Sequence, residues 1–242
     1  MIGLLLKNSN IPTMKYLLLL AAFFHLTHLA LADAGLINGS FEDEFNDTDG
    51  WMRASNVPPV RSDKEAHSGK YSLHSKLKNK KNFAAPSEGH LIQVVKSGII
   101  GGEKYDLTFW IKEVDFGVSY VQQYMINWIS DMGQVGNIGL TNFNGGKKWT
   151  KVSVPKLTAP KDATGVRLMF RFVTGAIEGG SGEIFIDDIA MKRSDYTEEY
   201  NKLLKANPRI AKAIEEGKIS KEKVLSGIRS REEEKQTDQK NN

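Results

Sequence analysis

The chain has 242 residues, 26% charged and 40% hydrophobic, with a formal net charge of +4 and no cysteine. It therefore has no disulfides and cannot carry a lipid on an N-terminal cysteine. The positive charge is spread along the sequence, with no basic block of the kind that nucleic acid demands.

Met14-Lys15-Tyr16 precedes an apolar run at residues 17–31, which ends in Ala30-Leu31-Ala32. A charged start, an apolar middle and an A-x-A end predict a signal peptide over 1–32, cleaved after Ala32. The run is short for a membrane span of ~20 residues, and the small-residue site argues for removal. The mature protein is expected to be secreted or periplasmic, with no membrane contact after cleavage. Residues 1–13 read as an extended n-region, and Met14 as an alternative initiator.

Beyond it, residues 36–42 (LINGSFE) read as a short strand leading into a turn, and residues 46–51 as a polar loop. Asn38-Gly-Ser40 and Asn46-Asp-Thr48 are formal glycosylation sequons. A turn at His67-Ser68-Gly69-Lys70 leads into an alternating strand, followed by a lysine-rich loop at 76–81 and a strand at 91–95. Residues 105–111 alternate cleanly, with Tyr105, Leu107, Phe109 and Ile111 on one face and Trp110 on the other. In the long strand at 118–130, Tyr120, Gln122, Tyr124, Ile126 and Trp128 share one side; Val121, Gln123, Met125, Asn127 and Ile129 share the other. Strands follow at 149–154 and 166–173, the latter with Val166, Leu168, Phe170 and Phe172 inward and Arg167, Met169 and Arg171 outward.

The last strand, residues 182–191 (GEIFIDDIAM), carries adjacent acids inside an apolar run. Strict alternation sends Asp187 and Asp188 to opposite faces, so at least one meets packed protein and needs a cation, backbone N–H groups or an arginine. Many short strands joined by Gly, Asn and Asp turns predict an all-β fold, an antiparallel β-sandwich of jelly-roll type over 33–193. Residues 194–242 form a charged tail with helical patterns at 197–205, 208–216 and 220–229, Ser194 and Ser220 as N-caps, and disorder from 230 onward. That tail reads either as a solvated extension or as a docking segment for a protein partner.

In this order and spacing, Asn38-Gly-Ser-Phe-Glu42, Gly50-Trp51, Ala66-His-Ser-Gly-Lys-Tyr-Ser-Leu73, residues 105–112, residues 149–153 and residues 183–189 resemble the carbohydrate-binding modules of families 4, 9 and 22. These have a galactose-binding-like jelly-roll fold. The resemblance implies a structural Ca2+ distant from the sugar site, with carboxylates from Glu42 and Asp187 and a backbone carbonyl from the Ser68–Lys70 turn. Hard cations take such mixed oxygen ligands. Spacing alone does not choose between Asp187 and Asp188. The alternative for Glu42 and Asp187 is plain acceptance of turn N–H groups.

The partner the resemblance implies is a polysaccharide or oligosaccharide of the β-glucan or xylan class, held by aromatic stacking and flanking polar groups. Trp110, Tyr120, Gln122, Tyr124, Trp128 and Arg171 are the candidate ligand contacts, whereas Trp51 and Trp149 belong to fold-defining segments. A catalytic reading finds little. Glycoside hydrolases need two flanking carboxylates, and Glu183 with Asp187 or Asp188 only loosely matches a Glu-x-Asp-x-x-Glu signature, because Phe185 stands where its acid should be. No nucleophile elbow, zinc-protease motif or P-loop is present, and His67, His74 and His90 are scattered. The expectation is a non-enzyme, with a structural or adhesion protein as the alternative.

Overall fold

A computed structural model describes residues 34–45, 50–79 and 85–240, with side chains through Arg231. The expected signal peptide, most of the 46–51 loop and part of the lysine-rich loop lie outside the described residues. Among the described residues ten strands form in chain order: β1 (Met52–Ala54), β2 (Val60–Ser62), β3 (Ser72–Lys78), β4 (Glu88–Val95), β5 (Lys104–Asp115), β6 (Tyr120–Ser130), β7 (Gly133–Asn142), β8 (Thr150–Thr158), β9 (Gly165–Thr174) and β10 (Ser181–Arg193). They make two antiparallel five-stranded sheets, ordered β1-β4-β9-β6-β7 and β2-β3-β10-β5-β8. Alternation explains the pairing, since each central strand turns one row of large apolar side chains toward the opposite sheet. Leu107, Phe109 and Ile111 of β5, Leu168, Phe170 and Phe172 of β9, and Ile184 and Ile186 of β10 are all fully buried there.

Residues 36–42 do not join a ladder as a strand. The side chain of Gln93, on β4, takes the place of a neighbouring strand: its Oε1 accepts from Ile37 N at 2.8 Å and its Nε2 donates to Ile37 O at 2.9 Å. The Asn-Gly-Ser-Phe-Glu turn is then locked by Trp51, whose Nε1 donates to Asn38 O at 3.0 Å, and by Ile189 N donating to Gly39 O at 2.9 Å. A Cβ on Gly39 would lie 2.0 Å from Ile189 O, so only glycine admits this approach.

The tail is helical: α1 (Thr197–Ala206), α2 (Pro208–Glu215) and α3 (Lys221–Lys240). The expected disorder from residue 230 is not what the structure shows; α3 runs on through a Glu-, Lys- and Gln-rich stretch of strong helix formers. Ser220 caps α3 as expected, its Oγ accepting from Lys223 N at 3.2 Å. Ser194 does not cap α1. Its Oγ donates to Asp106 Oδ1 at 2.6 Å, and Asp195 Oδ1 accepts from Thr197 N at 2.8 Å instead. The helices gather their own small core around Tyr196, Tyr200 and Ile228. Arg229 with Glu103 at 3.2 Å and Lys156 with Glu199 at 2.9 Å tie them to the sandwich. Among the described residues no helix is long and apolar enough to cross a membrane.

Candidate functional site

The outward face of the β1-β4-β9-β6-β7 sheet carries a continuous polar row. Register aligns His90, Arg171, Gln123 and Asn142 side by side on β4, β9, β6 and β7. Arg171 sits at the centre of this row. Its Nε donates to Glu88 Oε1 at 2.5 Å and its Nη1 to Gln123 Oε1 at 2.9 Å. Gln123 in turn donates through Nε2 to Asn142 Oδ1 at 2.9 Å, and His90 Nε2 lies 2.9 Å from Glu88 Oε1. Burial acts to raise the Glu88 carboxyl, but hydrogen bonds from Arg171 and His90 overcome it and hold the group below the usual carboxylate value. The row is thus a charged, preorganised chain of donors and acceptors, suited to hydroxyl groups. The adjacent row is apolar: Met52, Ile92, Met169 and Met125 are register neighbours across four strands.

Arg171 is therefore where the sequence expects it, half-buried on the outward face. Four other candidates are not. Tyr120, Gln122, Tyr124 and Trp128 point between the sheets and are 4%, 2%, 5% and 2% exposed. Periodicity groups them correctly on one side of β6 but cannot say which side is inside when both carry bulk, and the core claims the aromatic side. Trp128 packs at 5.9 Å from Tyr105, Tyr124 lies against Phe143, and Gln122 Nε2 donates to Glu113 Oε1 at 2.7 Å. Burial pushes the Tyr120 hydroxyl well above its ordinary value. Their neighbours Gln123 and Met125, which sequence reasoning passed over, hold the open face; the outward position of Arg171 on the adjacent strand is the signal that points to them.

Trp110 does face outward, but on the other sheet, where His67 stacks on it at 3.8 Å and 15°. Trp149, expected in a fold-defining segment, is half-buried beside the same imidazole at 5.7 Å. Their place is set by the loop before β3, which folds over β10. Here strict alternation fails. A bulge between Asp187 and Ala190, with Asp188 at φ 49°, turns both acids onto this one loop.

Asp187 is fully buried. Its Oδ2 accepts from His67 N at 2.8 Å and Ser68 N at 3.1 Å, and its Oδ1 from Asp188 N at 2.8 Å. Asp188 holds the side chains of the same turn, with Oδ2 2.6 Å from His67 Nδ1 and Oδ1 accepting from Ser68 Oγ at 2.7 Å. Glu42 closes the turn from beyond: Oε1 accepts from Lys70 N and Tyr71 N, each at 3.0 Å. Gly69 lies between them at φ 59°, and a Cβ there would meet Glu42 Oε1 at 2.3 Å. The sequence-predicted metal residues Glu42, Lys70 and Asp187 are thus brought to one turn.

Among the described residues no group of three or more His, Cys, Asp or Glu side chains is gathered for a metal. The donor chemistry nevertheless fits an oxygen-liganded cation, if loop carbonyls and water add to the two carboxylates. The donors to Asp187 are backbone N–H groups rather than a cation. Burial first, then the Asp188 charge, pushes its carboxyl up to about 6 against the lowering effect of those donors. Glu183, the remaining acid of this strand, is held below its usual value: burial would raise it, but Lys76 at 2.6 Å and His74 at 2.9 Å prevail.

Two antiparallel five-stranded sheets packed face to face define a β-sandwich. The chain belongs to the carbohydrate binding domain family CBM_4_9, whose model matches residues 33–174. No curated protein sequence matches it. Similar solved structures include TmCBM61 in complex with β-1,4-galactotriose, at 20% identity over 66% of this chain and 97% of that one, with a TM-score of 0.45. The CBM22-1 xylan-binding domain from Paenibacillus barcinonensis Xyn10C is 14% identical over 64% and 91%, with a TM-score of 0.42. The enzymatically active domain of bacteriophage CBA120 tailspike protein 4 is 16% identical over 67% and 22%, with a TM-score of 0.47.

Proposed function

We propose that the protein is a secreted, non-catalytic polysaccharide-binding protein that holds its glycan across the outward face of the β1-β4-β9-β6-β7 sheet. The observation that carries this reading is the Glu88–Arg171–Gln123–Asn142 chain, which spans four strands on an open face. Sugar hydroxyls are satisfied by rigid donors and acceptors of this kind, and Met52 and Met125, at the two ends of the neighbouring row whose middle members Ile92 and Met169 are buried, offer apolar contact to sugar C–H groups. A non-catalytic role is supported by the state of the best acid pair: Glu183 is ion-paired and Asp187 is sealed under backbone N–H groups.

The test is affinity electrophoresis and titration calorimetry of the wild-type protein and an Arg171→Ala variant against soluble polysaccharides. Retardation of the wild type, lost in the variant, is expected, without release of reducing ends. Wild-type migration unaffected by every polysaccharide would refute glycan binding, and reducing ends or unsaturated products would refute the non-catalytic part. Ca2+ at the Glu42–Asp187 turn belongs to the same reading, as a tie between that turn and β10 that supports the fold rather than the sugar.

A further inference from the structure

We propose that the open face selects an anionic glycan, one bearing carboxylates along its chain, and that Arg167 is the residue that selects it. This deepens the glycan-binding reading above and rests on it.

Among the described residues no outward-facing strand position of this sheet carries a Trp, Tyr or Phe ring, and the His90 imidazole is held by Glu88; of the apolar row, Met52 and Met125 reach the surface while Ile92 and Met169 are buried. Neutral sugars draw much of their affinity from stacking on flat rings. Met52 and Met125 provide contact but no such platform, so another source of affinity and selectivity is needed.

Arg171 is engaged by Glu88 and Gln123. Arg167, four residues earlier on the same central strand and on the same face, is exposed and makes no hydrogen bond or ion pair among the described residues. At ~3.3 Å per residue the two guanidinium-bearing positions lie about 13 Å apart, with Met169 between them. Beyond Arg167 the face continues into a pocket of about 240 Å³ lined by Lys96, Ile129, Ser130, Asp131, Thr164 and Gly165. The cations along this track are Lys96, Arg167 and Arg171; its carboxylates are Glu88, already shared by Arg171 and His90, and Asp131 at the β6–β7 turn. An arginine left without a counter-ion on a preorganised binding face matches a planar carboxylate, which it can grip with two parallel N–H bonds.

The experiment titrates the full chain with polygalacturonate and with neutral xylan, at low salt and toward about 1 M salt, where the screening length falls to ~3 Å. Wild-type protein is expected to bind polygalacturonate more tightly at low salt and to lose that advantage as salt rises. Arg167→Gln, on an exposed position, is expected to weaken polygalacturonate binding roughly tenfold and to leave xylan binding unchanged. Lys151→Gln, on the opposite sheet, removes the same charge elsewhere and should change neither. Equal wild-type affinity for the two polymers, an indifferent Arg167→Gln, or an equal effect of Lys151→Gln overturns the selection while glycan binding stands. Binding to neither polymer nor to any other polysaccharide overturns both.

Discussion

Replacing Asp187 by alanine tests how the last strand is tied to the loop it underlies. The substitution strips the acceptor from three backbone N–H groups, those of His67, Ser68 and Asp188. A buried donor without a partner costs about 1–3 kcal/mol, and water reaching the shortened side chain recovers part of this, so a net loss of roughly 4 kcal/mol is expected where the carboxyl is neutral. The sign of the pH dependence follows from the carboxyl itself. Its folded value is raised from 3.8 to about 6, so its contribution is fully present below about pH 4 and is lost as pH rises through about 6. The span corresponds to about 3 kcal/mol. In chelated protein, the cost of Asp187→Ala should therefore be about 3 kcal/mol smaller at pH 7 than at pH 4. Urea unfolding of wild type and variant at the two pH values, at unchanged m, measures this directly, because titrations elsewhere in the chain cancel in the difference. An equal cost at both pH values, or a cost under about 1 kcal/mol at pH 4, would refute the reasoning.

Calcium should act in the opposite sense at neutral pH, since it holds the ionised carboxylates: at a hundredfold excess over Kd it adds about 2.7 kcal/mol. In thermal melts that is ~5–10 °C for a domain of this size, and an unchanged melt after thorough chelation removes the ion from the account. Trp128→Ala should cost about 3–5 kcal/mol in urea unfolding while the folded variant keeps its glycan affinity; a variant that melts normally but no longer binds would return Trp128 to the site. Arg229 reaches Glu103 at 3.2 Å and Glu222 at 3.1 Å and lies over the Tyr196 ring. Arg229→Ala should therefore release the helices first, seen in limited proteolysis as faster trimming of the tail with the sandwich intact; an unchanged trimming rate would show that the Tyr196–Tyr200–Ile228 core holds them alone.

The sandwich was legible because its signal is local and repeated. Period-2 alternation in β5 and β9 names the buried rows outright: Tyr105, Leu107, Phe109 and Ile111, then Val166, Leu168, Phe170 and Phe172 are all inside. β7 escaped notice because Gly133, Gly136 and Gly139 dilute its pattern to the point where no face stands out. The turn at Glu42, Lys70 and Asp187 was legible only through the family resemblance. The bulge that brings Asp188 to it as well was not, since a left-handed residue inside an Ile-rich strand leaves no mark in composition. The open face was half legible. Arg171 and Arg167 declare themselves as charges opposite an apolar row, whereas β6 offers two bulky faces and aromatic character pointed to the wrong one.

That misdirection has a physical root. In a sandwich the aromatic side of a strand is the best material for the core, because each ring buries large area and pairs edge to face with others. Phe109, Phe143 and Phe170 do so here at 5.0–6.0 Å, with Tyr124 and Trp128 at the margins. With its rings inside, this sheet keeps on its outer face an amide–guanidinium–carboxylate chain. The opposite sheet shows the converse. Its outward rings, Trp110, Phe185 and Trp149, are each met by a histidine, with His67 on the first and third and His74 stacked on Phe185 at 4.3 Å. Rings capped in this way fix a loop and leave little surface for a ligand. The two outer faces therefore differ: one has its Trp and Phe rings capped by histidines and carries the turn at Asp187, and the other carries the Glu88–Arg171–Gln123–Asn142 chain with no Trp, Tyr or Phe at its described strand positions.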